Sequence, residues 1–140
     1  MKIAPSHESM QPAKGECVGI LIAHSRLDAT INASLLYLLP SSATLTVQAL
    51  SIQDRLALLL RLLAGRQCIE FSKRERLHSI LVACSTALAT ADSVIFKLIL
   101  APGEIMGLTI RDASTALDES RDQLESLFPL ILKKGSSCAD

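Results

Sequence analysis

The stretch LSIQDRLALLLRLLAG, residues 50–65, carries a helix together with both of its boundaries, and the rest of the chain is best read against it. Ser51 followed by Asp54 has the form of a capping pair. The Ser51 hydroxyl can accept from the Asp54 backbone N–H, and the Asp54 carboxylate lies in the first turn, where the helix dipole favours it. Gly65 is placed to end the helix in a left-handed conformation. Between them stand Leu, Ala and Arg, all good helix formers. At 100° per residue, Ile52, Leu56, Leu59, Leu60, Leu62 and Leu63 fill one broad face. Gln53, Asp54, Ala57 and Arg61 fill the other, with Leu58 among them.

On both sides of this helix the pattern repeats. Upstream, Leu27, Ile31, Leu35 and Leu38 recur at helical spacing, widened by Leu36 and Leu39, and Pro40 stops the run. Ser25 with Asp28 again has capping form. Residues 17–24 read as a strand or as the upstream part of the same helix. No turn signal separates them from residues 25–39, which favours one helix over 16–39. Residues 41–49, SSATLTVQA, read as a connecting loop. Downstream, Ser72 and Glu75 form an S-x-x-E capping box. Leu77, Ile80, Leu81, Cys84, Leu88, Ala91 and Ile95 come after it at helical intervals. The run can reach Leu100 before Pro102-Gly103 stops it, on the order of 40 Å of helix, and a break near Asp92-Ser93 would shorten it. Thr109 with Asp112 opens a last helix whose apolar face is Ile110, Ala113, Leu117, Leu124, Leu127 and Phe128. Its other face is acidic.

No segment alternates like a strand before a hairpin turn. The expectation is an all-α bundle of four to five helices with short connections. Residues 15–134 form one helical domain, with disordered tails at 1–14 and 135–140. The chain has 140 residues, enough to bury a real core, and 49% of them are hydrophobic against 20% charged.

Several function classes are disfavoured. The formal net charge is zero, which removes the electrostatic argument for broad nucleic-acid or membrane binding. There is no Trp and one Tyr, so base-stacking platforms are not expected. The four cysteines, Cys17, Cys68, Cys84 and Cys138, have neither zinc-ribbon nor disulfide-framework spacing. They read as thiols of a reducing, cytoplasmic compartment. The apolar run 77–101 is interrupted by His78, Asp92 and Lys97 and reads as a buried helix, not a membrane span.

The chemistry-bearing patterns are sparse. No nucleophile elbow or Gly-rich phosphate loop occurs, and Gly103-x-x-x-Gly107 lacks the Lys-Ser/Thr of a phosphate loop. The carboxylates of 118–125 have no E-x-x-H partner. Cys17, His24 and Asp28 would share one helix face and are acceptable zinc ligands. His24 is nonetheless read as a helix-face His beside an acid, and His78 as a rim residue. No catalytic residue, metal site or cofactor is expected. Arg55, Arg61, Arg66, Lys73, Arg74 and Arg76 cluster around one helix–helix connection. They form a solvated rim or a basic patch for an acidic partner or an RNA backbone.

The order of parts carries a resemblance. A long first helix, VGILIAHSRLDATINASLLYLLP, leads through a loop to LSIQDRLALLLRLLAG and then to RERLHSILVACSTAL. This resembles the mannitol operon repressor family and, more loosely, the HEPN class of helical domains. There a long helix precedes a segment of the form L-S-x-x-x-[KR]-L-x-L, here Leu50, Ser51, Arg55, Leu56 and Leu58. Catalytic HEPN ribonucleases carry an Arg-Asn-x-x-x-His-like motif on the later helix. The corresponding residues 83–93 read ACSTALATADS, without Arg, Asn or His, so the ribonuclease chemistry does not transfer. The resemblance implies a non-catalytic helical protein that acts through contacts, in regulation.

The expectation from residues and resemblance together is a helical interaction or regulatory protein. An RNA-directed HEPN-type protein (a degenerate ribonuclease or antitoxin-like) and a chaperone holding a partner's helix are the alternatives. Mean hydropathy is positive, +0.37. Surplus Leu on a small domain points to a homodimer, with its seam at Leu58 or at the small-residue face of Ala83, Ala87 and Ala91.

Overall fold

The computed structural model describes residues 14–65, 71–101, 103, 107–127 and 129. The elements are α1 (Lys14–Leu38), a 3-10 turn (Ser41–Ala43), α2 (Thr44–Ala49), α3 (Ile52–Ala64), α4 (Phe71–Leu100) and α5 (Gly107–Glu125). Among the described residues there is no strand, so the fold is all-α.

Residues 17–24 are helical and α1 is continuous from Lys14. Ser25 therefore lies inside the helix and caps nothing, while Asp28 pairs with Arg55 of α3. Residues 41–49 are not a loop. After Pro40 they form the 3-10 turn and α2, which buries Val47. The Thr44 hydroxyl donates to the Ser41 carbonyl at 2.8 Å, closing the turn locally. A helical signal is hard to see in a segment this short with Ser and Thr at its start.

α3 begins as its sequence dictates: Ser51 is extended, and its hydroxyl accepts from the Asp54 N–H at 3.1 Å. It ends differently. Gly65 sits at φ −81°, ψ −4°, in the right-handed region, and its N–H bonds back to Arg61. The right-handed pattern instead continues onto Gly65, whose N–H reaches the Arg61 carbonyl at 3.1 Å. Two other capping patterns are displaced. α4 is already helical at Phe71 and α5 at Gly107, so Ser72 and Thr109 lie inside helices instead of preceding them. α4 runs unbroken through Asp92-Ser93 to Leu100, 30 residues. α5 stops at Glu125, short of Pro129. Lys14 of the expected N-terminal tail belongs to α1, whereas 1–13 and 135–140 lie outside the described residues.

Four long helices form the bundle. α1 packs on α3 and α5, and α4 closes the ring by packing on the same two. Their directions emerge from paired residues. Glu16 meets Arg111, Gly19 faces Ser114, and Thr30 meets Glu125. The offset is constant along both chains, so α1 and α5 run parallel. Cys84 lies on Ser120, while Thr90 and Asp112 line the same groove further along, so α4 is antiparallel to α5. The Gln53 amide and Ser85 exchange two hydrogen bonds, 2.7 and 3.1 Å. Leu60 lies beside Leu81, so α3 is also antiparallel to α4. α1, α3 and α5 therefore point one way and α4 the other. The segment 39–51 returns the chain so that α3 can start over again beside α1.

The interior is aliphatic. Leu27, Ile31 and Leu35 of α1 are fully buried with Leu59 and Leu63 of α3, Leu81 and Leu88 of α4, and Ile110, Leu117 and Leu124 of α5. On α3 the buried row narrows to Leu56, Leu59 and Leu63, while Ile52, Leu60 and Leu62 pack at its margin. Polar groups occur mainly along the parallel α1–α5 seam. Buried Thr30 donates to the Arg26 carbonyl at 3.1 Å and reaches Glu125 at 3.3 Å. Arg111 donates to Glu16 through two of its nitrogens. Such pairs offset the unfavourable side-by-side alignment of two parallel helix dipoles.

Candidate functional site

The residues singled out from the sequence do not converge on a chemical site. Asp28 is held by Arg55 at 2.6 Å, and His24 Nε2 lies 3.0 Å from Asp92 Oδ1. Two of the three possible zinc ligands thus have other partners. Among the described residues no group of three His, Cys, Asp or Glu side chains could hold a metal ion. His78 is exposed on α4. Cys84 is buried between α4 and α5, and its thiol donates to the Ser120 carbonyl. Burial pushes that thiol from its ordinary 9.0 up to about 11, against the smaller opposing effect of the Ser120 contact. A thiol that resists ionisation is a core group, not a nucleophile. Cys17 is partly buried. Cys68 and Cys138 lie outside the described residues.

The basic cluster is divided. Arg55 is directed inward, donating to Asp28 and to the Leu50 carbonyl. Arg61, Lys73 and Arg76 are exposed near the α3–α4 connection, Arg74 is half-buried, and Arg66 lies outside the described residues.

The expected seam residues also separate. Leu58 is partly buried and packs against the chain's own core. Ala87 and Ala91 are buried. Ala87 lies with Ala113 and Ala116 of α5 along one groove. The small residues thus let two helices of one chain approach closely. Ala83 remains exposed at the lip of that groove, beside Thr86 and Glu119.

The unusual surface lies elsewhere. Val18, Leu21 and Ile22 of α1 are 52%, 53% and 45% exposed, and Phe96, Ile99 and Leu100 of α4 are 61%, 72% and 66% exposed. These six belong to one end of the bundle. The His24–Asp92 pair ties α1 to α4. From it, α1 travels toward its N terminus and α4 toward its C terminus, in the same direction because the helices are antiparallel. Leu21 and Val18 stand one and two turns beyond His24, and Phe96 and Ile99 stand one and two turns beyond Asp92.

α3 does not accompany them. Its first turn is fixed to Ser85 through Gln53, and α4 continues about 20 Å past that point. Among the described residues the bundle has four helices at one end and three at the other. At the three-helix end, α1 and α4 have no α3 between them. On a helical wheel, Leu21 shares the side of α1 that carries Asp28, the contact to α3. Phe96 and Ile99 share the side of α4 that carries Ser85. The apolar stripes that α3 covers in the four-helix half thus continue, uncovered, into the three-helix half.

Both sequence signals for this surface were present: apolar residues around most of the circumference of 18–22 and of 94–100. In the sequence they do not stand apart from the general apolar excess, because the end point of α3 relative to its neighbours is not a property of any one segment. The stretch Ser72–Leu100 is also long and apolar enough to cross a membrane by length and composition, with 39% of its most apolar window buried in the bundle. Comparisons with protein-family models, with curated proteins and with solved structures found no match for this chain.

Proposed function

We propose that this chain is a non-catalytic helical interaction protein whose working surface is the three-helix end of the bundle. The observation that carries the reading is the concentration there of six large, exposed apolar side chains from α1 and α4. Scattered single apolar residues on a surface are ordinary, whereas contiguous patches rimmed by polar groups mark contact sites. The rim here contains Ser25 and Arg26 on α1 and Asp92, Ser93 and Lys97 on α4, all exposed. The chemistry such a surface performs is desolvation: burying it against another apolar surface contributes roughly 25 cal/mol per Å² before the cost of association is subtracted.

The test is capture from cell extract with tagged protein, comparing the wild type with Leu21→Glu and Phe96→Glu. Val82→Glu serves as control, since Val82 is an exposed apolar residue of α4 on the far side of Ser85 from the patch. Chains held by the wild type and by Val82→Glu, whether other proteins or further copies of this one, should be lost from the two patch variants. Identical captures by all four proteins would overturn the reading.

A further inference from the structure

Resting on that reading, we infer that the occupant of the three-helix end is a second copy of this chain, joined about a two-fold axis. Three observations argue for it. The first is area. With large apolar residues exposing on the order of 170 Å² each when free, the six fractional exposures amount to roughly 600 Å² of apolar surface. A stable interface needs about 800 Å² from each partner. The patch and its polar rim reach that size at one end of the bundle.

The second is charge. Asp92 is half-exposed although it pairs with His24, and Arg26 and Lys97 lie exposed on the same rim. A two-fold contact places each residue type opposite the other's neighbours. It can therefore bring Arg26 or Lys97 of one protomer toward Asp92 of its partner. The formal net charge of zero leaves no long-range repulsion between copies.

The third is geometry. Past the start of α3, the sides of α1 and α4 that α3 covers in the four-helix half continue as Leu21 and as Phe96 and Ile99, all exposed. The α1 row of Val18, Leu21 and Ile22 is itself an apolar helix ridge pointing outward at the same end. Each protomer thus offers both an outward apolar ridge and an uncovered apolar flank beside it. Two copies satisfy both at once, which a closed two-fold pair requires and a single foreign helix does not.

The experiment is sedimentation or light scattering of the purified full chain across a dilution series from about 1 to 200 µM, which begins where the weaker contacts of this area dissociate. The wild type should be dimeric in the upper part of this range. Leu21→Glu and Ile99→Glu should raise the dimer dissociation constant at least about tenfold, since each places a carboxylate in a desolvated contact. Val82→Glu should leave it unchanged. Helical content and melting midpoint are recorded for every variant. The positions are half or more exposed in the protomer, so folding should survive, and Leu21→Ser and Ile99→Ser repeat the test should a Glu variant unfold.

A wild type that is monomeric throughout would overturn the second-copy inference, as would a dimer indifferent to both substitutions. A monomer that floats with phosphatidylcholine–phosphatidylserine vesicles would also overturn it and assign the end to a lipid surface. A monomer that gains exposure at Leu21 and Ile99 on removal of residues 1–13 would overturn it in favour of the chain's own N-terminal segment. A monomer that still captures another protein through the patch would overturn this inference and leave the interaction reading intact.

Discussion

His24 Nε2 and Asp92 Oδ1 stand 3.0 Å apart and join α1 to α4 just past the point where α3 begins. The two helices otherwise touch little, since α3 and α5 separate them in the four-helix half. Asp92 interrupts an apolar run and His24 precedes a helical stripe, and neither position explains itself within its own segment. Their pairing marks the boundary between the four-helix and three-helix parts of the molecule.

The energetic weight of that pair should be small. His24 is 24% exposed and Asp92 55%, so solvent screens the interaction. A double-mutant cycle with His24→Ala and Asp92→Ala should give a coupling of at most about 1 kcal/mol at pH 6, falling further in high salt. A coupling of several kcal/mol would mean that the pair is far less solvated than this geometry allows. The measurement is the shift in urea midpoint for each corner of the cycle.

The helix starts make opposite predictions for two serines. Ser51 caps α3, so Ser51→Ala should cost about 1 kcal/mol. Ser72 has the better sequence motif but lies after the start of α4. Ser72→Ala should stay within about 0.5 kcal/mol, the usual range for a surface change. Chemical denaturation of the two variants decides it. Equal losses would place the start of α4 at Ser72.

Leu58 and Leu59 are neighbours with different surroundings. Leu59 is fully buried, and Leu59→Ala should cost about 2–5 kcal/mol through lost burial and the cavity left behind. Leu58 is only partly covered, and Leu58→Ala should cost clearly less. Thermal melts at matched protein concentration test the pair, and equal large losses would contradict the packing of α3.

Cys84 should be silent in the folded protein. With its thiol pushed up to about 11 by burial, it should resist alkylation at pH 8 while Cys17 is modified first, read site by site by peptide mass spectrometry. The same shift has a stability consequence. The unfolded thiol ionises near 9 and the folded one near 11, so between these values the unfolded state holds fewer protons. The contribution of Cys84 is therefore complete below pH 9 and is lost as pH rises toward 11. Cys84→Ala should be less stable at neutral pH but show a shallower decline over that window. A decline as steep as that of the wild type would assign the alkaline loss to other groups.

Periodicity alone was enough to specify the buried rows of the four long helices. The rows at Leu27-Ile31-Leu35, Leu56-Leu59-Leu63, Leu77-Leu81-Leu88 and Ile110-Leu117-Leu124 could be read before any fold was known. The 3.6-residue period forces side chains of one type onto one face, and a face of Leu and Ile must be buried. The Ser51–Asp54 cap was legible for the same reason, since its partners lie three residues apart. Less legible were the starts of α4 and α5 and the turn of helix at 44–49, where local patterns compete within a residue or two.

Which apolar surfaces remain open was settled by packing and by nothing local. Ala87 and Ala91 are buried within the chain, Ala87 beside Ala113 and Ala116 of α5, whereas Val18, Leu21, Phe96 and Ile99 are exposed. The physical reason is that burial belongs to pairs of helices. α3 spans 13 residues beside an α4 of 30, and α3 is held at one end by Gln53 on Ser85 and Arg55 on Asp28. Where the shorter helix ends, the longer ones keep their apolar faces without a partner, and no single segment's pattern records where that happens.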